Sequence, residues 1–176
     1  KKFKKIDILI CNVGTGSGTR DILIKKKDWN KSFNRNFMTF YHSFNNFFDL
    51  IDKKDGSIIA ISSIAGLETL NAPIEYSVSK KTLSSYCKNL SKKITSGLRI
   101  NVVSPGNILM KGNNWDKKLK TNRKQVLNYI EDNVPLKRFG SPDDIANVVL
   151  FLSSKKSKFI NGSNIIVDGG QTSNIV

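Results

Sequence analysis

Ile6-Asp7-Ile8-Leu9-Ile10-Cys11, closed by Asn12-Val13-Gly14, is a short and mostly apolar run that ends in a turn signal. It is too short for a helix of the usual length, and it suits a buried strand of a parallel sheet. Beyond it the period changes. Trp29, Phe33, Phe37, Phe40, Phe44, Phe47 and Phe48 recur at three- and four-residue intervals, which predicts a helix with one aromatic face and Asp28 as its cap. Asp55-Gly56 marks a turn, Ser57 to Ser62 reads as a second strand, and a helix is expected from about Tyr76 to Ser96, ended by Gly97. Arg99 to Val103 is a third strand, stopped by Pro105-Gly106, and the polar stretch 109–133 has weak helical periodicity and the look of a lid. Ser141-Pro142-Asp143-Asp144 supplies a cap and a proline at the first helical position, so a helix starts there and runs to about Leu152; Asn164 to Val167 is a last strand. Strands alternating with helices of this length predict an α/β fold, a doubly wound parallel sheet covered on both faces.

The 176 residues, 39% hydrophobic, suffice for one domain with a real core. No apolar run reaches the ~18 residues that span a bilayer, and the stretch after the basic opening is too short for a signal-peptide core, so a soluble cytoplasmic protein is expected, with no membrane partner. The net charge of +15 raises the question of a polyanion. The lysines, however, fall in short separate groups (Lys25 to Lys27, Lys53-Lys54, Lys92-Lys93, Lys117-Lys118, Lys155-Lys156) with no recognition motif beside them, and no nucleic-acid partner is expected. Cys11, Cys87 and the single histidine, His42, lack the spacing of a zinc site or a disulfide framework, so no metal is expected.

Tyr76 and Lys80, in Tyr-Ser-Val-Ser-Lys, stand four apart and so share one face of a helix. An ammonium at ~4 Å and an effective dielectric near ~20 would favour phenolate by roughly 4 kcal/mol, enough to bring a phenol of pKa ~10 toward neutrality as an acid or base. Ser63 follows the second strand, and the carboxyl ends of parallel strands are where such sheets place their sites. Asn36 is a polar residue within the aromatic helix. Taken singly, each has a bland reading: an exposed tyrosine beside an unrelated lysine, a serine that starts a loop, a solvated asparagine.

Together, in this order and spacing, they resemble the catalytic tetrad of the short-chain dehydrogenases/reductases. Cys11-Asn12-Val13-Gly14 is similar to that family's Asn-Asn-Ala-Gly strand end, and Arg99-Ile100-Asn101-Val102-Val103-Ser104-Pro105-Gly106 to its later strand and Pro-Gly turn. Pro135 to Pro142, Asn161-Gly162 and Val167-Asp168-Gly169-Gly170 resemble its carboxyl-terminal signature, most of all that of 3-oxoacyl-carrier-protein reductase-like members. The resemblance implies an NAD(P)-dependent oxidoreductase with NAD or NADP as cofactor and a small carbonyl or alcohol as substrate. Tyr76 would exchange a proton with the substrate oxygen, Lys80 would lower the tyrosine's pKa and bind the nicotinamide ribose, Ser63 would polarise the carbonyl, and Asn36 would position a relaying water. Asn12, Val13, Gly14, Pro105, Gly106 and Ile108 would line the cofactor. Relatives also imply a homodimer or homotetramer joined through the helices that start near Asp28 and Tyr76.

The chain departs from the pattern in three places. Cys11 replaces an asparagine, and Met110 stands where many relatives have a threonine near the carboxamide. The family's opening strand, glycine-rich turn and helix, which grip the pyrophosphate, have no counterpart. Gly14-Thr15-Gly16-Ser17-Gly18 has the wrong spacing for that grip and is expected to border the substrate side instead. At about 30 residues per strand-helix-strand unit, roughly 60 to 80 residues would be missing, which would leave the first strand as an uncovered edge. The expectation is therefore the catalytic and lid part of a longer enzyme, a single incomplete domain over 1–176; the alternative is a naturally truncated, non-catalytic interaction module. Met110 and Trp115 are the apolar substrate-binding candidates in the lid, and Lys117, Lys118, Lys120, Arg123 and Lys124 are candidates to face an anionic group.

Overall fold

Four strands, β1 (Ile8–Cys11), β2 (Ser57–Ile61), β3 (Arg99–Pro105) and β4 (Asn164–Val167), lie in the order β1-β2-β3-β4, and each neighbouring pair is parallel. The structure, a computed structural model, describes residues 4–173. The basic opening at 1–3 and the last residues, 174–176, of the expected domain lie outside them. Ile58 and Ala60 of β2 pair with Leu9 and Cys11 on one side and with Ile100 and Val102 on the other. All six side chains face the same way, as the two-residue period requires, while Ile59, Ile61 and Val103 face the opposite way.

Each face has its own cover. The first is covered by one long helical run, α1 (Lys26–Phe33), a π-helical turn (Asn34–Met38) and α2 (Thr39–Phe47), and by α3 (Ile74–Lys93). Phe37, Phe40 and Phe44 of that run and Leu83 and Cys87 of α3 pack into this core. The aromatic stripe thus looks inward, although Phe47 is exposed. The second face is covered by α6 (Pro142–Ser153), which places Ile145, Val148, Val149 and Leu152 on β2 and β3. It does not reach β1, whose Ile8 and Ile10 are 46% and 49% exposed. β1 is also an edge strand, paired only with β2 among the described strands, as the sequence led one to expect.

Buried polar groups fix β3 to the segment before β4. Asn101 Nδ2 donates to the Ile160 carbonyl at 2.9 Å, and its Oδ1 accepts from Ser163 N at 3.0 Å. Arg99 donates to the Ser157 and Ser154 carbonyls at 3.1 and 3.3 Å. Satisfying these groups avoids the ~1–3 kcal/mol that an unpaired buried polar group costs.

Several local expectations need correction. Asp28 does not cap the first helix: Lys25 stands at the cap and makes no side-chain bond, and Asp28 lies inside the first turn, where a carboxylate still favours the helix dipole. α3 starts two residues before Tyr76 and stops at Lys93, because Ile94 is already extended, so Gly97 is not its terminator. Gly97 is instead required by crowding, since a Cβ there would lie 1.8 Å from the Lys54 carbonyl oxygen. The lid stretch holds two helices, α4 (Asn114–Thr121) and α5 (Arg123–Asn133). Ser141 caps α6 as read, in a reciprocal box with Asp144.

Candidate active site

The carboxyl end of β2 runs into Ser63, an extended residue whose Oγ accepts from Ala65 N at 3.2 Å and caps the 3-10 turn Ile64–Gly66. That turn is the seat of α3. Ser62 Oγ donates to the Lys80 carbonyl at 3.0 Å, and a Cβ on Gly66 would lie 2.8 Å from the backbone of both Lys80 and Lys81. Only glycine lets the helix come this close. Tyr76 and Lys80 consequently stand over the strand end on one face of α3, as their spacing predicts.

Their electrostatics differ from expectation. Lys80 is 4% exposed, its Nζ donates to the Ile61 carbonyl at 2.8 Å, and it lies 6.0 Å from the centre of the Tyr76 ring. Burial pushes its ammonium down from 10.5 to about 8. Burial likewise pushes the Tyr76 phenol above its ordinary 10, while a hydrogen bond with Ser63 works the other way. The expected lowering of the phenol by the lysine is overturned in this state: desolvation of the phenolate dominates, and the ammonium is spent on a carbonyl.

Asn36 sits in the π-helical turn, 1% exposed. Its Oδ1 accepts from Thr15 N at 2.9 Å, and its Nδ2 donates to the Ser32 carbonyl at 3.0 Å. A Cβ on Gly14 would lie 2.9 Å from Lys80 Nζ and 3.0 Å from Asn36 Oδ1, so the bare backbone at 14 is what admits both groups behind the strand end. Asn12, Val13 and Gly14 are exposed at the carboxyl end of β1. These residues fit the nicotinamide half of a dinucleotide: an open strand end with a buried ammonium behind it. A grip on the phosphates is not found among the described residues. Gly14, Gly16 and Gly18 lack the left-handed conformation, and their loop leads past Tyr76 rather than straight into a helix.

In front of Ser63 and Tyr76 opens a cleft of about 850 Å³, bordered by Gly16 to Gly18, Gly106 and the lid residues Trp115 and Tyr129. Trp115 stacks on Tyr129 at 5.6 Å. Gln171 accepts from Asn107 Nδ2 at 2.7 Å and donates to the Tyr129 hydroxyl at 3.1 Å, which ties α5 to the end of β3. Of the predicted residues, Ser63, Tyr76, Gly106 and Trp115 line this cleft. Asn36 and Lys80 stand behind it, and Pro105 ends β3. Ile108 lines a separate cavity of about 190 Å³ with Gly140 and Asp168. Met110 is 54% exposed and outside the cleft lining. Among the lid cations Lys118 lines the cleft, Lys120 pairs with Asp116 at 2.9 Å, and Arg123 and Lys124 line a shallow depression beside it.

Sequence reading missed Glu75. It is 1% exposed, Oε1 accepts from Thr19 N at 2.8 Å, and Oε2 is buried with no hydrogen-bond partner among the described residues. A Cβ on Gly18 would lie 2.3 Å from Oε1, so Glu75 holds the glycine loop at the cleft wall. A glutamate in the first turn of a helix reads as a solvated dipole partner, and nothing local marks it otherwise. Arg20, Tyr129 and Gln171 were also missed as cleft residues.

A family model described as Enoyl-(Acyl carrier protein) reductase matches residues 1–172. The 3-oxoacyl-(acyl-carrier-protein) reductase FabG of Buchnera aphidicola is 35% identical over 97% of the chain and 68% of its own length. That of Thermotoga maritima is 31% identical with the same coverage, 97% and 68%. Among solved structures, the L-sorbose reductase of Gluconobacter frateurii, complexed with NADPH and L-sorbose, is similar at a TM-score of 0.90 and 28% identity, over 99% of this chain and 69% of that one. A short-chain dehydrogenase/reductase of Brucella melitensis, described as glucose/ribitol dehydrogenase, is similar at 0.81 and 25%, over 97% and 65%. The chain thus spans about two thirds of the length of its relatives.

Proposed function

The chain belongs to the short-chain dehydrogenase/reductase family of NAD(P)-dependent oxidoreductases, and from that premise we propose that it carries the catalytic and substrate-binding part of an enzyme that interconverts a carbonyl and an alcohol. The observation that carries this reading is the convergence of the Ser63 and Tyr76 hydroxyls on one cleft, with the Lys80 ammonium buried behind them.

The nicotinamide, when bound, supplies or accepts the hydride. The protein's own groups handle the proton. Burial pushes the Tyr76 phenol up and so favours its protonated form, the one that donates to a carbonyl oxygen as hydride arrives. Ser63, which lines the same cleft as the phenol, holds and polarises the same oxygen. Lys80 places a positive charge below the forming phenolate; Asn36 fixes Thr15 and with it the loop beside Gly14. Asn12, Val13, Gly14, Pro105, Gly106 and Ile108 are assigned to the cofactor, Ile108 from the smaller cavity beside Gly140, and α4 and α5 to the lid over 109–133. The pyrophosphate grip is assigned to the part of the relatives' length that this chain does not span. Self-association through α1, α2 and α3 belongs to the same reading, as does a cytoplasmic location; no helix among the described residues is long and apolar enough to cross a membrane.

The test uses the polypeptide as its source organism makes it, assayed with NADH and NADPH against a panel of ketones. Tyr76→Phe is expected to lower kcat by about 10²- to 10⁴-fold while cofactor affinity changes little. Undiminished turnover in that variant removes Tyr76 from the mechanism. A second reading, a non-catalytic interaction module, draws on the exposed Ile8 and Ile10 face of β1; it predicts that neither cofactor binds.

A further inference from the structure

The lining of the cleft says more about the substrate than the family does. Two cations, Arg20 and Lys118, lie on its border, and no aspartate or glutamate lines it among the described residues. Arg20 makes no hydrogen bond or ion pair among the described residues, and Lys118 has only the Trp115 ring, 4.5 Å from its Nζ. Of the neighbouring acids, Asp21, next to Arg20 in sequence, is exposed and outside the cleft lining, Glu75 is buried and accepts from Thr19, and Asp116 pairs with Lys120. Asn71, Asn114, Asn122 and Gln125 also line the cleft, and none of their side chains makes a hydrogen bond within the described residues. Four carboxamides present both donors and acceptors, as a row of hydroxyls requires. An aliphatic chain laid along these four would strip them of water, which is how polar sites reject apolar analogues, while Ile64, Leu70, Pro73, Trp115 and Val126 line the rest of the cleft.

Resting on the reductase reading, we propose that the substrate is a small polyhydroxylated carbonyl compound bearing one anionic group, with Arg20 and Lys118 taking the anion, the carboxamides the hydroxyls, and Ser63 and Tyr76 the carbonyl. The +15 charge of the chain would add to the capture of such an anion at low ionic strength.

The test compares three five-carbon ketones, ribulose 5-phosphate, ribulose and 2-pentanone, by calorimetric titration and by cofactor turnover, with the protein as its source organism makes it. Ribulose 5-phosphate is expected to bind at least about tenfold more tightly than ribulose, as charge-assisted hydrogen bonds allow, and ribulose more tightly than 2-pentanone. In Arg20→Gln/Lys118→Gln the ratio between the first two falls to within about twofold of unity; a melting curve checks that the variant is folded. Equal or tighter binding of 2-pentanone, a phosphate preference that survives the double substitution, or no binding of any of the three overturns the proposal. Binding in the expected order without turnover of any ketone stands against the reductase reading and leaves this one in place. Turnover without a charge preference does the reverse.

Discussion

Replacing Lys80 with Met is expected to make the protein more stable and inactive. The unfolded chain keeps this lysine protonated up to 10.5, but the folded chain does so only up to about 8. Between those values the unfolded state binds the extra proton, so stability rises with pH across that window; below pH 8 the folded state carries the full cost of a buried charge. The difference corresponds to about 3 kcal/mol at pH 7. Lys80→Met removes that cost but leaves the Ile61 carbonyl without its donor, at about 1 kcal/mol. The net gain is about 2 kcal/mol, or roughly 4–8 °C in Tm for a domain of this size. The assay is a pair of melting curves for wild type and variant at pH 7 and at pH 10, without cofactor. The variant should melt higher at pH 7, and the gap should shrink or reverse at pH 10, because groups common to both proteins cancel. An equal or lower Tm at pH 7, with the same pH dependence in both proteins, would refute the claim that burial dominates this lysine.

Two further predictions concern how the site is held. Gly66→Ala puts a methyl group 2.8 Å from the backbone of Lys80 and Lys81; overpacking of this kind costs about 1–3 kcal/mol, and turnover should fall along with Tm because α3 carries Tyr76, whereas a drop in Tm alone would separate the seat of the helix from its chemistry. Ser141→Ala removes the oxygen that accepts from Asp144 N at 3.2 Å; thermal melting should show a loss of about 1 kcal/mol with kcat unchanged, and an unaltered Tm would mean that Asp144 alone holds the start of α6.

Sequence patterning located what depends on period and on end signals. β4 has the bounds read for it, Asn164–Val167, and α6 begins at the proline that follows its cap, since caps and strand alternation are local chemistry. Gly97 shows where locality fails. A glycine after a helix has the form of a terminator, yet the crowding that demands it comes from Lys54, on another loop. Tyr76 and Lys80 show the same divide inside the site. Their spacing placed them correctly, but spacing contains no information about burial, and burial reversed the direction of the phenol's shift. Glu75 could not be distinguished from a surface acid until the loop at 18–19 was seen folded over it.

The π-helical turn at Asn34–Met38 sets an angular relation that neither end of the helical run determines. A regular helix advances about 100° per residue, and one wide turn shifts the phase of everything after it by a comparable step. Trp29 and Phe33 therefore belong to one angular frame, and Phe40 and Phe44 to another, with Asn36 at the join. Deleting a single residue within 34–38 would restore an even winding and force a choice: either the phenylalanines stay on the sheet and the asparagine swings away from Thr15, or the amide stays and the aromatic rows rotate out of the core. The local widening is what allows the core and the site to be served by a single stretch of helix.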